Sequence, residues 1–346
     1  MPENSHVGMP DASAHSPIAH WRSAALSDVP DIYALITAAA SVDSPKDSTT
    51  LEEVDLALRS SNFSESRFRL ETDTALGFGQ DGSLIAFATV KLAEPGEREV
   101  EASLDGTVHP AWRGKGVGRS LLAWQEKRAR ELLRTDQSGL PGMIHLGARE
   151  TCADHLALYR AAGFHPERWW MDLRRPLGDL PALRSLPEGM MMSEFKAGYS
   201  ERVRKAINDA FRDHWSTQAI SPEQWESEGN LAAFSASCSR VVLAKTGRWP
   251  RKKRVVAALL SEIRPEDWAL HGESFGYISA IGVVRDARGQ GLSSALIIEA
   301  LHAFSNRHLD SAMLSVDSVN PSGALAMYER LGFKLVDRSV SYVKYC

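Results

Sequence analysis

The feature that most restricts the fold of this chain is an internal repeat. Residues 108–122 read VHPAWRGKGVGRSLL and residues 283–297 read VVRDARGQGLSSALI, so that Arg288 repeats Arg113. Further along, residues 158–164 (LYRAAGF) recur as residues 327–333 (MYERLGF), with Tyr328 in the place of Tyr159. Two anchors in the same order and at nearly the same separation predict two copies of one structural unit.

The two copies share one predicted order of elements. In the first, strands at 83–92 and 99–108 lead into the glycine-rich segment and a helix, followed by a strand at 142–148, a helix at 152–162 and an extended segment at 164–173. In the second, strands near 240–245, 254–262 and 273–284 precede a helix at 291–305, a strand at 311–316, a helix at 322–331 and extended segments to residue 345. Each half is therefore predicted to be an α/β unit with mixed strand directions.

The chain length, a polar N-terminal segment and a proline-containing segment predict the domain boundaries. A chain of 346 residues is long enough for two domains. Residues 1–16 are small and polar without apolar periodicity, which predicts a disordered tail. Three prolines interrupt the region between residues 174 and 189, namely Pro176, Pro181 and Pro187. We therefore expect an N-terminal domain over residues 17–178, a linker over 179–188 and a C-terminal domain over 189–346.

The charge balance argues against a polyanionic partner. The chain has 40 Lys and Arg residues against 44 Asp and Glu residues, which gives a net charge of −4. Such a chain has no general basic field for nucleic acid or for an acidic membrane surface. No uncharged stretch approaches the roughly 20 apolar residues that a membrane-spanning helix needs. We expect neither nucleic acid nor a membrane as a partner.

The cysteines, the histidines and the first residues indicate the compartment. Residues 1–21 contain neither Lys nor Arg, so they lack the basic start of a secretory signal. The three cysteines, Cys152, Cys238 and Cys346, are odd in number and too widely spaced for a disulfide framework. The histidines show no metal-ligand spacing. We expect a cytoplasmic protein without a metal ion.

The glycine-rich segment of each half is suited to hold a pyrophosphate. A strand that turns through such a segment directly into a helix leaves backbone N–H groups unpaired at the positive end of the helix dipole, and glycines let a phosphate approach them. The P-loop pattern is excluded because Gly116, not Ser or Thr, follows Lys115. The Rossmann fingerprint is excluded because the glycines after Gly114 have the wrong spacing. A purely structural turn is the alternative.

These motifs together resemble the Gcn5-related N-acetyltransferase (GNAT) superfamily in tandem form. In the first half, Val108 and the run from Arg113 to Gly118 look like the acyl-CoA pyrophosphate motif of that superfamily. In the second half, residues 283–293 resemble the same motif, and residues 320–333 (NPSGALAMYERLGF) resemble its second conserved block. The double arrangement looks most like the two-domain bacterial branch that includes mycothiol synthase.

The resemblance implies two GNAT folds, each a mixed and mostly antiparallel sheet flanked by helices, with acetyl-CoA or another acyl-CoA as cosubstrate. The residues expected to bind it are Val108, Arg113, Gly114, Lys115, Gly116, Val117, Gly118 and Arg119 in the first half, and Val283, Arg288, Gly289, Gln290, Gly291, Leu292 and Ser293 in the second. Ser293 departs from the motif, which prefers Gly or Ala there.

Members of the superfamily transfer the acyl group by direct attack of an amine, so a proton donor for the departing thiolate is expected. Tyr328 and Tyr159 resemble the tyrosine of the family that faces the CoA sulfur, and a phenol is protonated at neutral pH. Asn320 would bond to the pantetheine or to the backbone. The alternatives are that both tyrosines only pack and that Asn320 only caps a helix.

A base for the amine proton is expected on the strand before the glycine-rich loop. Glu101 and Asp105, four residues apart, lie on one face of that strand, together with Ser103. The alternative is a solvated strand edge. The second half has no carboxylate at that place and would use water or His214.

The acceptor pocket is expected in the second half, where the segment around the first helices is aromatic. Phe211, His214 and Trp215 lie close together there, and Tyr277 lies on the strand before the loop. A packing pair at a helix end is the alternative for His214 and Trp215.

The sequence therefore predicts an acetyl-CoA-dependent N-acetyltransferase that acts on the amine of a small molecule. The C-terminal half is favoured for catalysis, and the N-terminal half is expected to bind CoA or to be vestigial. The alternative is a noncatalytic tandem GNAT protein that binds acyl-CoA or serves as a scaffold. The acceptor and the oligomeric state stay open.

Overall fold

The chain folds as two compact units, one made of Met1–Arg168 with Ser339–Cys346 and the other of Trp169–Arg338. The computed structural model describes residues 8–10, 16–43, 48–63, 66–96, 98–212, 214–215, 219–246, 252–319 and 323–346. Most of the predicted tail at residues 1–16 lies outside the described residues. Within the described part of the chain, no helix combines the length and the apolar character needed to cross a bilayer.

In the described residues of its first half, the chain forms five strands and five α-helices that belong to the N-terminal unit. They are β1 (His20–Arg22), α1 (Val29–Asp43), α2 (Leu51–Arg59), α3 (Leu70–Asp73), β2 (Thr74–Phe78), β3 (Leu84–Leu92), β4 (Val100–Val108), α4 (Val117–Thr135), β5 (Gly142–Arg149) and α5 (Ala153–Ala161). Local signals fix the starts of these elements. Thr50, for example, forms a capping box with Glu53 at the start of α2.

The remaining elements begin with the last strand of the first half and continue with those of the second half. They are β6 (His165–Pro176), β7 (Met190–Glu194), α6 (Ser200–Phe211), α7 (Pro222–Gly229), β8 (Arg240–Thr246), β9 (Lys252–Ile263), α8 (Pro265–His271), β10 (Phe275–Val283), α9 (Leu292–Asn306), β11 (Ser311–Asp317), α10 (Ala324–Arg330) and β12 (Lys334–Tyr345). After β6, they repeat the strand order of the first half with one helix, α8, added between β9 and β10.

Each unit is built on one mixed sheet. In the N-terminal unit the order is β1-β2-β3-β4-β5-β12, and in the C-terminal unit it is β6-β11-β10-β9-β8-β7. All neighbours within these two orders are antiparallel except β4 with β5 and β10 with β11, which are parallel. The predicted α/β class, with mostly antiparallel sheets flanked by helices, is confirmed.

The last strands of the two halves are exchanged between the units. Residues 170–176 of β6 pair with β11, and residues 339–345 of β12 pair with β5. The domains drawn from the sequence, 17–178 and 189–346 around a linker at 179–188, therefore need correction, because residues 169–178 belong to the C-terminal unit and residues 339–346 to the N-terminal one. The apolar pattern of a segment indicates a strand, but β6 and β12 follow equivalent helices and the pattern does not say which sheet each one joins.

Close packing on both faces of β10 explains two of its glycines. A Cβ at Gly276 would lie 2.2 Å from the ring of Phe304 on α9. A Cβ at Gly282 would lie 2.9 Å from the side chains of Ala210 and Ile207 on α6. The two helices thus cover opposite faces of the strand.

Candidate active site

The parallel pair of strands in each unit separates before its strands end. Pairing between β4 and β5 stops at Ser103 and His145, although both strands continue beyond that pair. Pairing between β10 and β11 stops at Ile278 and Leu314, again with both strands continuing. We name these openings the N-terminal cleft (residues 104–108 and 146–149) and the C-terminal cleft (residues 279–283 and 315–317). Their inner edges carry backbone polar groups that an extended ligand can pair with.

The two clefts are equivalent in the repeat. Ile278 corresponds to Ser103 in the same alignment that matches Arg288 with Arg113. Leu314 corresponds to His145 in the alignment that matches the two tyrosine helices. Equivalent positions of the repeat therefore mark the same backbone feature in both units, the point at which two parallel strands separate.

The glycine-rich segments form open cradles at the starts of α4 and α9. Gly114 and Gly116 have φ values of +72° and +87°, and Gly289 and Gly291 have +77° and +74°. Such angles favour glycine, and a Cβ at any of the four would meet nothing within 4 Å. Gly116 and Gly291 are the N-caps, and neither helix start has a side-chain cap. The uncapped N–H groups of the first turn and the free space beside them fit a pyrophosphate.

The position that differs between the cradles is tolerant of a small side chain. A Cβ at Gly118 would lie 3.5 Å from Leu158 and 4.0 Å from Val108, which is ordinary van der Waals contact. Ser293 occupies the equivalent position in α9. The departure from the motif at Ser293 is therefore compatible with the same cradle.

The two motif arginines hold the cradles to neighbouring helices. The guanidinium of Arg113 forms a two-point ion pair with Asp43 at the end of α1, at 2.5 and 2.6 Å, and its Nε donates to the carbonyl of Val108 at 3.1 Å. The guanidinium of Arg288 donates to the carbonyl of Ala210 in α6 at 2.9 Å. In both units the arginine fixes the end of the strand before the helix, a role that the sequence did not indicate.

The other predicted cradle residues divide by exposure. Val117 and Leu292 are 2% exposed, so only their backbone can face a ligand. Val108 and Val283 are half-buried at the strand ends. Gln290, Arg119 and Lys115 are exposed, and the ammonium of Lys115 lies 4.4 Å from the centre of the Trp112 ring.

The two tyrosines lie at equivalent places but in different surroundings. The hydroxyl of Tyr159 donates to the carbonyl of Gly147 on β5 at 3.3 Å. Burial raises the pKa of Tyr159, and the negative charge of Asp105 raises it further. Tyr328 is 8% exposed, and its hydroxyl has no hydrogen-bond partner in the described part of the chain. Burial raises the pKa of Tyr328 to about 12, so this phenol is protonated throughout the physiological range.

The two predicted bases, Asp105 and Glu101, differ in exposure and in their hydrogen bonds. Asp105 is exposed on β4. Glu101 is 8% exposed, and its carboxylate lies 2.9 Å from Nδ1 of His145. Nε2 of that histidine lies 2.9 Å from the hydroxyl of Ser341 on β12. Asn320 lies outside the described residues.

Sequence reasoning missed His145 and Ser341. The available signal was a single histidine inside the buried run Met143–Leu146 of β5. No signal in the sequence linked Ser341 to this place, because the exchange of β12 was not foreseen.

The predicted acceptor residues form aromatic contacts in the C-terminal unit. The rings of Phe211 and His214 are 4.6 Å apart. The ring of Trp215 lies 6.5 Å from that of Trp170 on β6, a residue that the sequence did not single out. Tyr277 is half-buried on β10, opposite Glu262 of β9.

Comparison with known proteins gives the class. The profile of the acetyltransferase (GNAT) family matches residues 35–164 and 200–333, one copy in each half. The chain belongs to this family, and it is an N-acetyltransferase of tandem GNAT type.

Curated relatives and solved structures agree with that assignment. The chain is 30% identical to a mycothiol acetyltransferase of Thermobispora bispora over 312 residues, which cover 87% of this chain and 91% of the relative. It is also 30% identical over 287 residues to a mycothiol acetyltransferase of Pseudarthrobacter chlorophenolicus, covering 79% and 77% of the two chains.

Two tandem-length structures share the fold. A GCN5-related N-acetyltransferase from Sphaerobacter thermophilus aligns with a TM-score of 0.65 at 22% identity, over 94% of this chain and 95% of the other. A tandem GNAT protein from the clavulanic acid biosynthesis pathway aligns with a TM-score of 0.62 at 15% identity, over 94% and 98%.

Proposed function

We propose that this chain transfers the acetyl group of acetyl-CoA to the primary amine of a small molecule, and that the C-terminal cleft is the site of this reaction. The pyrophosphate would lie at the cradle of Gly289 and Gly291, on the uncapped start of α9. The pantetheine arm would pair with the edges of β10 and β11 where these strands separate.

The observation that carries this proposal is the hydroxyl of the buried Tyr328, which has no hydrogen-bond partner among the described residues. Its phenol has no competing acceptor in the described part of the chain, whereas the hydroxyl of Tyr159 already donates to a carbonyl. A pKa of about 12 keeps the proton on Tyr328 at neutral pH, so its hydroxyl is available as a donor. The thiolate that leaves in acyl transfer is a weaker base than a phenolate, so Tyr328 first stabilises it by a hydrogen bond and passes a proton to it as the phenol is reprotonated from solvent.

The reaction then needs no covalent enzyme intermediate. The amine nitrogen attacks the thioester carbon, the carbon–sulfur bond breaks, and the Tyr328 hydroxyl gives its proton to the sulfur. Backbone N–H groups at the edge of β10 stabilise the negative charge that develops on the carbonyl oxygen. Water, or the imidazole of His214, removes the proton that the amine loses.

The acceptor surface fits a small molecule with an apolar or ring-shaped part. Two ring pairs, Phe211 with His214 and Trp170 with Trp215, lie in the C-terminal unit. Aromatic faces bind such groups with little loss of side-chain entropy. The relatives named mycothiol acetyltransferase make mycothiol-related amines the first acceptors to test.

The test is a measurement of free CoA released in the presence of acetyl-CoA and a panel of amines that includes mycothiol-related ones. We expect turnover with at least one such amine. Tyr328→Phe should lower kcat for it by about 10²- to 10⁴-fold, the range for loss of a general acid. The KM for acetyl-CoA should stay unchanged because the cradle is intact.

Tyr159→Phe is the matched control, since it removes the equivalent hydroxyl from the other cleft. It should leave turnover of the mycothiol-related amine unchanged. Binding of acetyl-CoA without turnover of any amine would contradict the proposal and indicate a noncatalytic acyl-CoA-binding protein. A loss of kcat in Tyr159→Phe but not in Tyr328→Phe would move the reaction to the N-terminal cleft.

A further inference from the structure

Three side chains of the N-terminal unit form a continuous hydrogen-bonded row. Glu101, His145 and Ser341 come from the adjacent strands β4, β5 and β12, with 2.9 Å between each pair of bonded atoms. An ionised carboxylate only accepts hydrogen bonds, so Glu101 assigns the imidazole proton to Nδ1 of His145. Nε2 then accepts from the Ser341 hydroxyl. In this tautomer the imidazole is a base directed at a hydroxyl group.

Strand register puts the row at the entrance of the N-terminal cleft. Glu101 lies opposite Met143, which is two residues before His145. Ser341 lies opposite Gly147, which is two residues after it. Because alternate residues of a strand share a face, all three side chains are on the same side of the sheet. His145 is also the last residue of β5 that pairs with β4.

The space for a reacting group lies beside Gly147. A Cβ at this residue would meet only the carbonyl of Val340, at 3.7 Å, so the surface above it is open. The carbonyl of Gly147 accepts the Tyr159 hydroxyl, and its strand partner is Ser341. The row through His145 and the Gly147 carbonyl, which the Tyr159 hydroxyl occupies, therefore both adjoin one open position in the cleft.

The C-terminal cleft has no equivalent of this row. In the alignment of the two halves, Gly276 and Ala280 stand at the positions of Glu101 and Asp105. Leu314 stands at the position of His145. The row is thus a property of one copy of the repeat and is not required by the shared fold.

We propose that the N-terminal cleft is a second acetyl-transfer site, in which His145 is the general base. Glu101 is a positioning residue that holds the imidazole through Nδ1, and the Ser341 hydroxyl passes the proton. The N–C bond forms as the amine attacks the thioester, and the C–S bond breaks. The proton of the amine goes to the Ser341 oxygen and the Ser341 proton goes to Nε2, while the departing thiolate takes its proton from solvent and the imidazolium later returns one to solvent.

The charge of the cleft indicates the acceptor. The exposed carboxylate of Asp105 is on the same face of β4 as Glu101. An acceptor that carries a second positive charge besides its reacting amine is favoured on the β4 side of the cleft, near the Asp105 carboxylate and away from Arg149 at the end of β5. The substrate class is therefore a small diamine, in contrast to the acceptor with an apolar or ring-shaped part proposed for the C-terminal unit.

The experiment disables the C-terminal site first, so that failure of this proposal and failure of the C-terminal one are distinguishable. In a Gly291→Val, Tyr328→Phe chain, release of CoA is measured with 1,4-diaminobutane and with butylamine. We expect acetylation of the diamine, at least tenfold faster than that of butylamine. Adding His145→Gln should lower kcat by about 100-fold or more, with calorimetric affinity for acetyl-CoA unchanged.

Two further measurements separate a base from a merely structural histidine. Added imidazole should restore part of the rate in His145→Ala, which a packing defect would not allow. Ser341→Thr, which keeps a hydroxyl, should retain the rate, and Ser341→Ala should lose it. His165→Gln, a change at an exposed histidine of β6, serves as the matched control and should have no effect.

Three results would overturn the proposal. They are no turnover of the diamine, turnover that is insensitive to His145→Gln, and an acetyl group found by mass spectrometry on Ser341 in protein incubated without an amine. The last result would make the serine a nucleophile and not a proton relay.

Discussion

The two clefts share one strand arrangement but differ in side chains and in one detail of the backbone, since β10 shifts its register against β9 between Ile278 and Ala280 whereas β4 pairs with β3 without a shift. Both open where a parallel strand pair separates, and both face a helix start capped by a glycine. In the N-terminal cleft the polar groups bond to one another, as in the pair of Arg113 with Asp43 and the row through His145. The C-terminal unit instead has Tyr328, a buried residue whose hydroxyl has no hydrogen-bond partner among the described residues. We therefore propose that the shared geometry serves the binding of acyl-CoA and that the side chains select the amine.

The largest expected effect is that substitution of one N-cap glycine, Gly116 or Gly291, abolishes the activity of its own cleft and leaves that of the other. Valine at a φ of +74° or +87° is strained by about 1–3 kcal/mol and places a branched side chain at the phosphate cradle. Gly291→Val should abolish turnover of mycothiol-related amines and spare that of 1,4-diaminobutane. Gly116→Val should do the reverse. Steady-state kinetics with both amines check this prediction, and the loss of both activities in either variant would contradict independent sites.

The fold could be predicted from the sequence to a large extent because glycines and apolar periodicity report local backbone geometry. The repeat of Arg-Gly-x-Gly and of the tyrosine helix predicted two units, two cradles and the positions of both tyrosines. These features depend on φ angles and on strand and helix periods, which are local properties of the chain.

The exchanged strands and the polar row could not be predicted because they depend on pairing between distant segments. The pattern of β12 is that of a strand in either unit, and nothing in it selects β5 as the partner. His145 meets Ser341, 196 residues later, only through that choice. Arg113 likewise meets Asp43, 70 residues earlier, only through the packing of α1.

A smaller difference is expected in the free energy of unfolding when the interactions of the two motif arginines, Arg113 and Arg288, are removed. Asp43→Asn breaks the two-point ion pair of Arg113, in which both side chains are about four-fifths buried. It should lower the free energy of unfolding by about 1–3 kcal/mol, the range for hydrogen bonds to charged groups. Arg288→Gln removes the bonds to the neutral carbonyls of Ala210 and Val283 and should cost about 1 kcal/mol. Urea denaturation measures both values, and an equal or reversed order would contradict the comparison.

The smallest effect concerns the exchanged strand at acid pH. Burial tends to raise the pKa of Glu126, but hydrogen bonds from Lys344 on β12 and from Arg130 outweigh it and lower the pKa below its ordinary value of 4.5. A carboxyl whose pKa is lower in the folded state stabilises that state above its unfolded pKa, and this contribution is lost as the pH falls through the folded pKa.

Lys344→Met should therefore lower the melting temperature at pH 7 and make it fall less steeply below about pH 4.5. Lys334→Met, at an exposed lysine of the same strand, is the control and should leave the pH dependence unchanged. Thermal melts followed by circular dichroism between pH 3 and pH 7 supply the comparison. If the melting temperatures of the wild-type chain and of Lys344→Met fall in parallel with pH, the Glu126–Lys344 contact is not the source of the pH dependence.

The central claim is that both copies of the repeat bind acyl-CoA, and titration calorimetry of acetyl-CoA into the full chain tests it most directly. We expect two molecules bound per chain, falling to one in Gly116→Val and to one in Gly291→Val. The cradles are uncapped and open at all four cradle glycines, which is the basis of this expectation. A stoichiometry that is the same in the wild-type chain and in both variants would contradict the account.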